Sequence, residues 1–331
     1  MNTVVLAIAA IAQPAPSDSA AFIRVNQVGY LPGGPKVAVA CTVDSAAVHR
    51  ITTFEVQDLD GRTVFGPRRA AASGPFGPCV ATHRLDFSAL TRPGEYRVTA
   101  GATTSPVIRI DARAYAGAAD TLLIYMRQQR SGFNPFFRDS VHRLDGLIVD
   151  DSARAGTFVP VSGGWADAGD YLQYVATSAH ATYMMLMAYR DHPRAFADEF
   201  DARGLPGANR VPDVLDEARH GLEWLLRMFP SDSLMFNQLG DDRDHAFLDL
   251  PTTDSSDYGW GKGKERPVYP CTGRPQGLFQ HQNRSTGKAS TAGKYASAFA
   301  LGAQLFARRD PAFARLLRQK ALAAFRVGEA S

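Results

Sequence analysis

The apolar pattern of this chain changes period once, near Asp111, and that change limits what the two halves can fold into. Before it, short runs rich in β-branched and aromatic residues recur: Lys36-Val37-Ala38-Val39-Ala40, Phe54-Glu55-Val56-Gln57-Asp58, Thr63-Val64-Phe65 and Glu95-Tyr96-Arg97-Val98. Turn signals separate them at Leu31-Pro32-Gly33-Gly34, Asp60-Gly61, Arg92-Pro93-Gly94 and Ala100-Gly101. Short strands punctuated in this way predict an all-β sandwich of immunoglobulin type over residues 22–111. After Asp111, apolar residues recur at helical spacing over 115–129, 171–189, 213–229, 289–308 and 311–325. At the third of these, Pro212 followed by Asp213 marks a helix start. No strand signal of comparable strength lies between them, so residues 112–331 are expected to form an all-α domain. Its long loops carry Gly, Asp and aromatic residues, and loops of that length in a compact domain line a binding site.

A chain of 331 residues has room for two domains with full cores. Hydrophobic residues make up 45% and charged ones 21%, a globular composition that argues against disorder and against a membrane-spanning protein. The net charge is only +3, with no basic run beyond pairs such as Arg68-Arg69 and Arg308-Arg309, which argues against a nucleic-acid partner. An apolar run at 4–12, followed by a Pro/Ser/Ala-rich stretch, resembles the later part of a secretory signal without its positive n-region. Residues 1–21 therefore read as signal-like or as a disordered tail, and a secreted or periplasmic location is expected. Cys41, Cys79 and Cys271 are too sparse for a disulfide scaffold, although an oxidising compartment would let Cys41 and Cys79 pair.

Chemistry concentrates in Gly163-Gly164-Trp165-Ala166-Asp167-Ala168-Gly169-Asp170-Tyr171. The turn sets two carboxylates three residues apart beside an indole. Glycines let a backbone approach a ligand closely, paired carboxylates orient and deprotonate a water, and the Trp165 ring offers an apolar face to a sugar. The plain structural reading of Asp170 is an N-cap for the helix that follows.

An immunoglobulin-like module followed by a helical domain with this Gly-Gly-Trp-x-Asp-Ala-Gly-Asp turn resembles family 9 of the glycoside hydrolases, the cellulase family built on an (α/α)6 barrel. Ile23-Arg24-Val25-Asn26-Gln27-Val28-Gly29-Tyr30-Leu31-Pro32 is similar to the opening of the N-terminal domain carried by one branch of that family. Asp86-Phe87-Ser88-Ala89-Leu90 with Pro93-Gly94-Glu95-Tyr96 resembles its later strands. Asp167-Ala168-Gly169-Asp170-Tyr171 with Tyr174-Val175 is similar to the catalytic-base motif. Val211-Pro212-Asp213-Val214-Leu215-Asp216-Glu217-Ala218 with Trp224-Leu225-Leu226 is similar to the next hallmark helix.

The resemblance implies inverting hydrolysis of β-glycosidic bonds, with base and acid carboxyls about 6.5–9.5 Å apart on opposite sides of the sugar. It implies that Asp170 is the general base and that Asp167 helps hold the same water. Gln238-Leu239-Gly240-Asp241-Asp242-Arg243-Asp244-His245 resembles a segment whose histidine contacts the sugar, which gives His245 two readings, a donor to a sugar hydroxyl or a solvated loop histidine. Tyr171 joins Trp165 and His245 in the expected substrate-binding set. Trp260 has two readings, a platform for a pyranose ring or an anchor for its long loop. The expected partner is an oligosaccharide or polysaccharide, a β-glucan or a relative of one.

Three departures qualify the resemblance. Ala166 stands where an aromatic often precedes the base motif, and residues 254–284 do not read like a cellulase cleft, so cellulose itself is left open. Some relatives bind zinc through cysteines near positions that here read Ser131-Gly132 and Val141-His142, so no metal site is expected. No other cofactor is predicted, and calcium binding is not readable. The family's acid is a glutamate near the end of the barrel, and nothing after Ala289 fits it. The general acid is therefore expected beyond Ser331, and the isolated chain is expected to be inactive. The alternative is a carbohydrate-binding protein that keeps the cleft without catalysis. A metal-dependent hydrolase using Asp167 and Asp170 as ligands lacks a His-x-x-x-His partner.

Overall fold

The computed structural model describes residues 21–44, 51–246, 249–274 and 287–331, so the signal-like run at 4–12 lies outside the described residues. The chain divides into two compact units, Met1–Ala116 and Gly117–Ser331.

The first unit holds β1 (Ala21–Arg24), β2 (Val37–Thr42), β3 (Thr53–Asp58), β4 (Thr63–Arg69), β5 (Ala71–Phe76), β6 (Cys79–Asp86), β7 (Gly94–Ala100), β8 (Thr103–Thr104) and β9 (Ile108–Ile110). One sheet has the order β1-β2-β6-β5 and the other β4-β3-β7-β8, with β9 also paired to β7. Every pairing is antiparallel. Alternation explains the core: Tyr96, Val98 and Ala100 face inward from β7 while their neighbours do not. They meet Phe54, Val56, Leu85 and Phe87 in one cluster. Lys36 is fully buried, and its ammonium donates to the carbonyls of Leu31, Pro32 and Gly34, which pins the preceding turn. Cys41 and Cys79 form a disulfide within one sheet, tying β2 to the start of β6.

The second unit carries α1 (Ala118–Gln128), α2 (Val175–Asp191), α3 (Asp213–Met228), α4 (Lys288–Phe306) and α5 (Pro311–Glu329). Their facing stripes build a core that includes Leu186, Leu215, Leu222, Trp224, Phe299 and Leu317. α5 begins as its sequence dictates, with Asp310 accepting a hydrogen bond from Phe313 N at 3.0 Å and Pro311 at the first helical position.

The expectation of an all-α second domain is corrected. A hairpin pairs β10 (Gly132–Asn134) with β11 (Asp139–Val141). A four-stranded sheet joins β12 (Leu147–Ile148), β13 (Gln173–Tyr174), β14 (Phe236–Leu239) and β15 (Pro267–Pro270) in the order β12-β15-β14-β13. All of these strands are short, and β14 and β15 are buried at every position, so they show no polar alternation to betray them. The helix predicted from residue 171 begins at Val175 because Gln173 and Tyr174 pair with β14 first.

Candidate active site

The acid-bearing turn lies against α3. A Cβ on Gly164 would sit 2.6 Å from the Trp224 ring, and one on Gly163 would sit 2.4 Å from the Arg227 guanidinium. Both residues also have positive φ, 127° at Gly163 and 71° at Gly164. Gly163 and Gly164 are therefore required by the helix beneath them rather than by a ligand, which corrects the expectation for these two, while Gly169, where a Cβ would meet nothing within 4 Å, lines the cavity described below. Trp165 is corrected as well. It is 3% exposed, its indole N–H donates to Glu217 at 2.8 Å, and its ring packs 5.5 Å from His220, so it faces the interior and offers no sugar platform.

Beyond Trp165 the chain turns outward. Asp167 N donates to Leu172 O at 2.8 Å, and Asp170 Oδ1 accepts from Leu172 N at 3.2 Å, so both acids hang from one closed loop. Asp170 does not cap α2, whose N-cap is Tyr174. Its second oxygen lies 2.9 Å from His245 Nε2, with the Asp170 side chain 12% and the His245 side chain 55% exposed. The structure thus brings His245 to Asp170. Asp167 is exposed on the same loop as Asp170. Asp170, Gly169 and Ala166 line a cavity of about 200 Å³ together with Phe137, His142 and Tyr171. Tyr171 contributes little surface, being 3% exposed, and its hydroxyl donates to the Asp249 carbonyl. Burial pushes that hydroxyl up to about 12.

Below the cavity, Arg266 is buried and grips Asp145 through two hydrogen bonds of 2.8 Å. It also donates to Gln173 Oε1 at 2.6 Å and to the Tyr171 carbonyl, so the residue next to Asp170 rests on a fixed cation. His142 Nδ1 lies 3.2 Å from Asp254 Oδ2, with its ring 4.9 Å from that of Tyr171. Burial and the nearby Arg266 charge lower the His142 pKa. Burial alone would raise the Asp254 carboxyl, but hydrogen bonds from His142 and Ser256 outweigh it and bring the group to about 2.

The His245 loop is braced from behind. Asp241 accepts from Arg243 at 2.8 and 2.6 Å and from the Tyr269 hydroxyl at 2.7 Å. Asp244 is fully buried and accepts from the Tyr258 hydroxyl, and burial raises its pKa well above the usual carboxylate range. Trp260 donates its indole N–H to Glu265 O at 2.9 Å and stacks on Tyr258 at 5.9 Å. Those contacts are the loop-anchoring arrangement, and Trp260 does not line the cavity beside Asp170. Among the described residues, no group of three or more His, Cys, Asp or Glu side chains is arranged to hold a metal ion. The positions that sequence reasoning missed are Asp145, Gln173, Glu217, His220, Asp254 and Arg266. Glu217 stands in the hallmark-helix segment, where nothing marked it as part of the site, and the others signal only a charged or polar side chain, which a surface residue shows equally.

Comparison with known proteins places the chain in a family. A profile of Glycosyl hydrolase family 9 matches residues 115–331, and one of the Cellulase N-terminal ig-like domain matches residues 18–105. A xyloglucan-specific endo-beta-1,4-glucanase of Bacteroides ovatus is 31% identical over 68% of this chain and 39% of its own. Endoglucanase C of Cellulomonas fimi is 33% identical over 64% of this chain and 21% of its own. The crystal structure of a metagenome-derived glycoside hydrolase family 9 endoglucanase superposes with a TM-score of 0.70 at 32% identity, over 94% of this chain and 55% of that one. The chain thus spans less than two thirds of the length of each of these relatives. With the family profile covering the whole helical unit and the immunoglobulin-like profile preceding it, the chain belongs to glycosyl hydrolase family 9.

Proposed function

We propose that this chain supplies the base side of an inverting glycoside hydrolase that cleaves β-1,4-glucan or a substituted relative such as xyloglucan. One observation carries the reading: the Asp170 carboxylate stands at the rim of a cavity, oriented by the Leu172 N–H and by His245. In that position it takes a proton from a water attacking the anomeric carbon. Asp167, exposed on the same loop, holds the second hydrogen of that water, and His245 is close enough to reach a sugar hydroxyl. The opposing acid sits about 6.5–9.5 Å from the base in such a pair. Nothing among the described residues is assigned to that role. The five helices are read as part of an (α/α)6 barrel, as expected of the family. The Cys41–Cys79 disulfide supports a secreted or periplasmic location, since such bonds persist in oxidising compartments.

The test is hydrolysis of barley β-glucan and xyloglucan by the natural gene product. Asp170→Asn should lower kcat about 10²–10⁴-fold while oligosaccharide affinity, read by calorimetry, stays within a few-fold. Equal turnover by parent and variant would remove Asp170 from the base role. Binding without turnover in the parent itself would instead establish a non-catalytic carbohydrate-binding protein.

A further inference from the structure

α3 turns one stripe of residues toward the acid-bearing turn: Glu217, His220, Gly221, Trp224 and Arg227, at spacings of three and four that share a helix face. Together they meet Trp165 and the two glycines before it. Glu217 Oε1 accepts from Trp165 Nε1 at 2.8 Å. His220 Nε2 lies 2.9 Å from the Gly164 carbonyl, which has no proton to give, so the ring nitrogen is the donor. Gly221 leaves the space that the Trp165 ring occupies, because a Cβ there would lie 2.3 Å from Trp165 Cη2. Trp224 donates to Val161 O at 2.9 Å and fills the hollow under Gly164.

We propose that this stripe is the template that sets where Asp167 and Asp170 stand, with Glu217 as its positioning residue acting through Trp165. The inference rests on the reading of Asp170 as the base.

Glu217 is fully buried and accepts hydrogen bonds from two donors, Arg130 and Trp165, with a second guanidinium nearby. Arg130 binds it at 3.0 and 2.8 Å, Trp165 at 2.8 Å, and Arg127 approaches to 3.8 Å. Arg127 in turn bridges Asp213 at 3.1 Å, so two buried cations face two buried anions. A buried carboxylate needs its partners, but the Arg130 fork alone would satisfy the charge. The extra bond to Trp165 is what reaches the turn, two residues before Asp167. Either side of that indole the backbone is tied, with Ala166 N donating to Gln129 O at 2.9 Å and Ser131 N donating to Gly164 O at 2.9 Å. The segment is therefore tied up to Ala166, and the loop that closes on Leu172 follows directly from it. A shift of the indole reaches Asp167 through two peptide units, and misplacing a reacting group by about 1 Å costs on the order of 10²-fold in rate.

Glu217→Gln is the direct variant, but it leaves Arg127 and Arg130 with one buried anion and risks the fold. Trp165→Phe is the deciding one, since it removes the N–H donor, keeps an aromatic ring and leaves the Arg130–Glu217 pair intact. In the natural gene product it should lower kcat on β-glucan about ten- to 10²-fold with KM within twofold, while deuterium uptake over residues 166–172 rises and far-UV dichroism is unchanged. A folded Trp165→Phe variant with kcat within twofold of the parent, or with unchanged uptake over that segment, overturns the proposal. If the parent shows no turnover, the glycosidase reading fails by itself, and the exchange measurement alone decides whether the α3 stripe holds the turn.

Discussion

Gly221 on α3 offers a sharp test of how tightly the acid-bearing turn is packed. A methyl added there would lie 2.2 Å from Thr182 Oγ1 and 2.3 and 2.6 Å from two atoms of the Trp165 ring. Carbon atoms in contact sit about 3.5–4.0 Å apart, so something must move by more than an ångström. Neither neighbour is free to do so: Thr182 is buried on α2 and donates to Ser178 O at 2.8 Å, and Trp165 is held by Glu217 at 2.8 Å. Against this, alanine gains roughly 1 kcal/mol over glycine in a helix interior, while overpacking costs typically about 1–3 kcal/mol and occasionally more. The two overlaps at this site put Gly221→Ala at or above the upper end, for a net loss of about 2 kcal/mol. At about 2–4 °C per kcal/mol for a domain of this size, Tm should fall by roughly 4–8 °C. Gly293 on α4 is the control, since it is exposed and a Cβ there meets nothing within 4 Å. Gly293→Ala should raise Tm by about 1–4 °C through the unfolded state and helix propensity. Thermal unfolding followed at 222 nm reports mainly on the helical unit. If Gly221→Ala matched or exceeded the parent, or if both variants moved Tm the same way, the close packing of α3 on the turn would be refuted.

The site's buried ions yield two further predictions. Asp145→Ala leaves the Arg266 guanidinium buried with Gln173 and the Tyr171 carbonyl as its hydrogen-bond partners among the described residues, and should cost about 3–5 kcal/mol in urea unfolding; a loss below about 1 kcal/mol would discount the pair. His220, lowered from 6.5 to about 4 by burial, binds its proton in the unfolded chain before the folded one, so its contribution to stability is lost as pH falls through that window. Asp216, raised from 3.8 to about 6 by burial, acts in the opposite sense, losing stability as pH rises between those values, so the parent's own curve partly cancels. His220→Gln keeps a donor for Gly164 O and removes only the first effect. Relative to the parent it should gain about 2 kcal/mol between pH ~7.5 and pH ~5, and a parallel pair of stability curves would rule the buried neutral histidine out.

Much of the fold was legible because its elements bury one face. β7 alternates, with Tyr96, Val98 and Ala100 inward, and α3 repeats Leu215, Ala218, Leu222 and Leu225 along one side, so period alone located both. β5 was illegible for the opposite reason. Its sequence, Ala71–Phe76, is exposed throughout and owes its extended form to pairing with β6. β14 and β15 were illegible because they are buried on both faces, and a four-residue run such as Phe236–Leu239 carries no period of either kind.

The site divides along sequence separation. Asp167, Asp170 and the glycines sit within one turn, so local chemistry marked them, whereas His245 came only from the resemblance of residues 238–245 to a family segment. What the local pattern misjudged was direction. An indole suits a sugar and a core equally well, and the choice at Trp165 is made by Glu217, fifty-two positions away. The same holds for the ions that brace the turn: Arg130 meets Glu217 across 87 residues and Arg266 meets Asp145 across 121. Charged residues in such pairs look like surface residues until the fold joins them, because their burial is permitted only by the partner. A motif therefore identifies the carboxylates of the candidate site more readily than the residues that hold them in place, and substitutions at Glu217 or Arg266 should disturb that site as strongly as changes nearer to it.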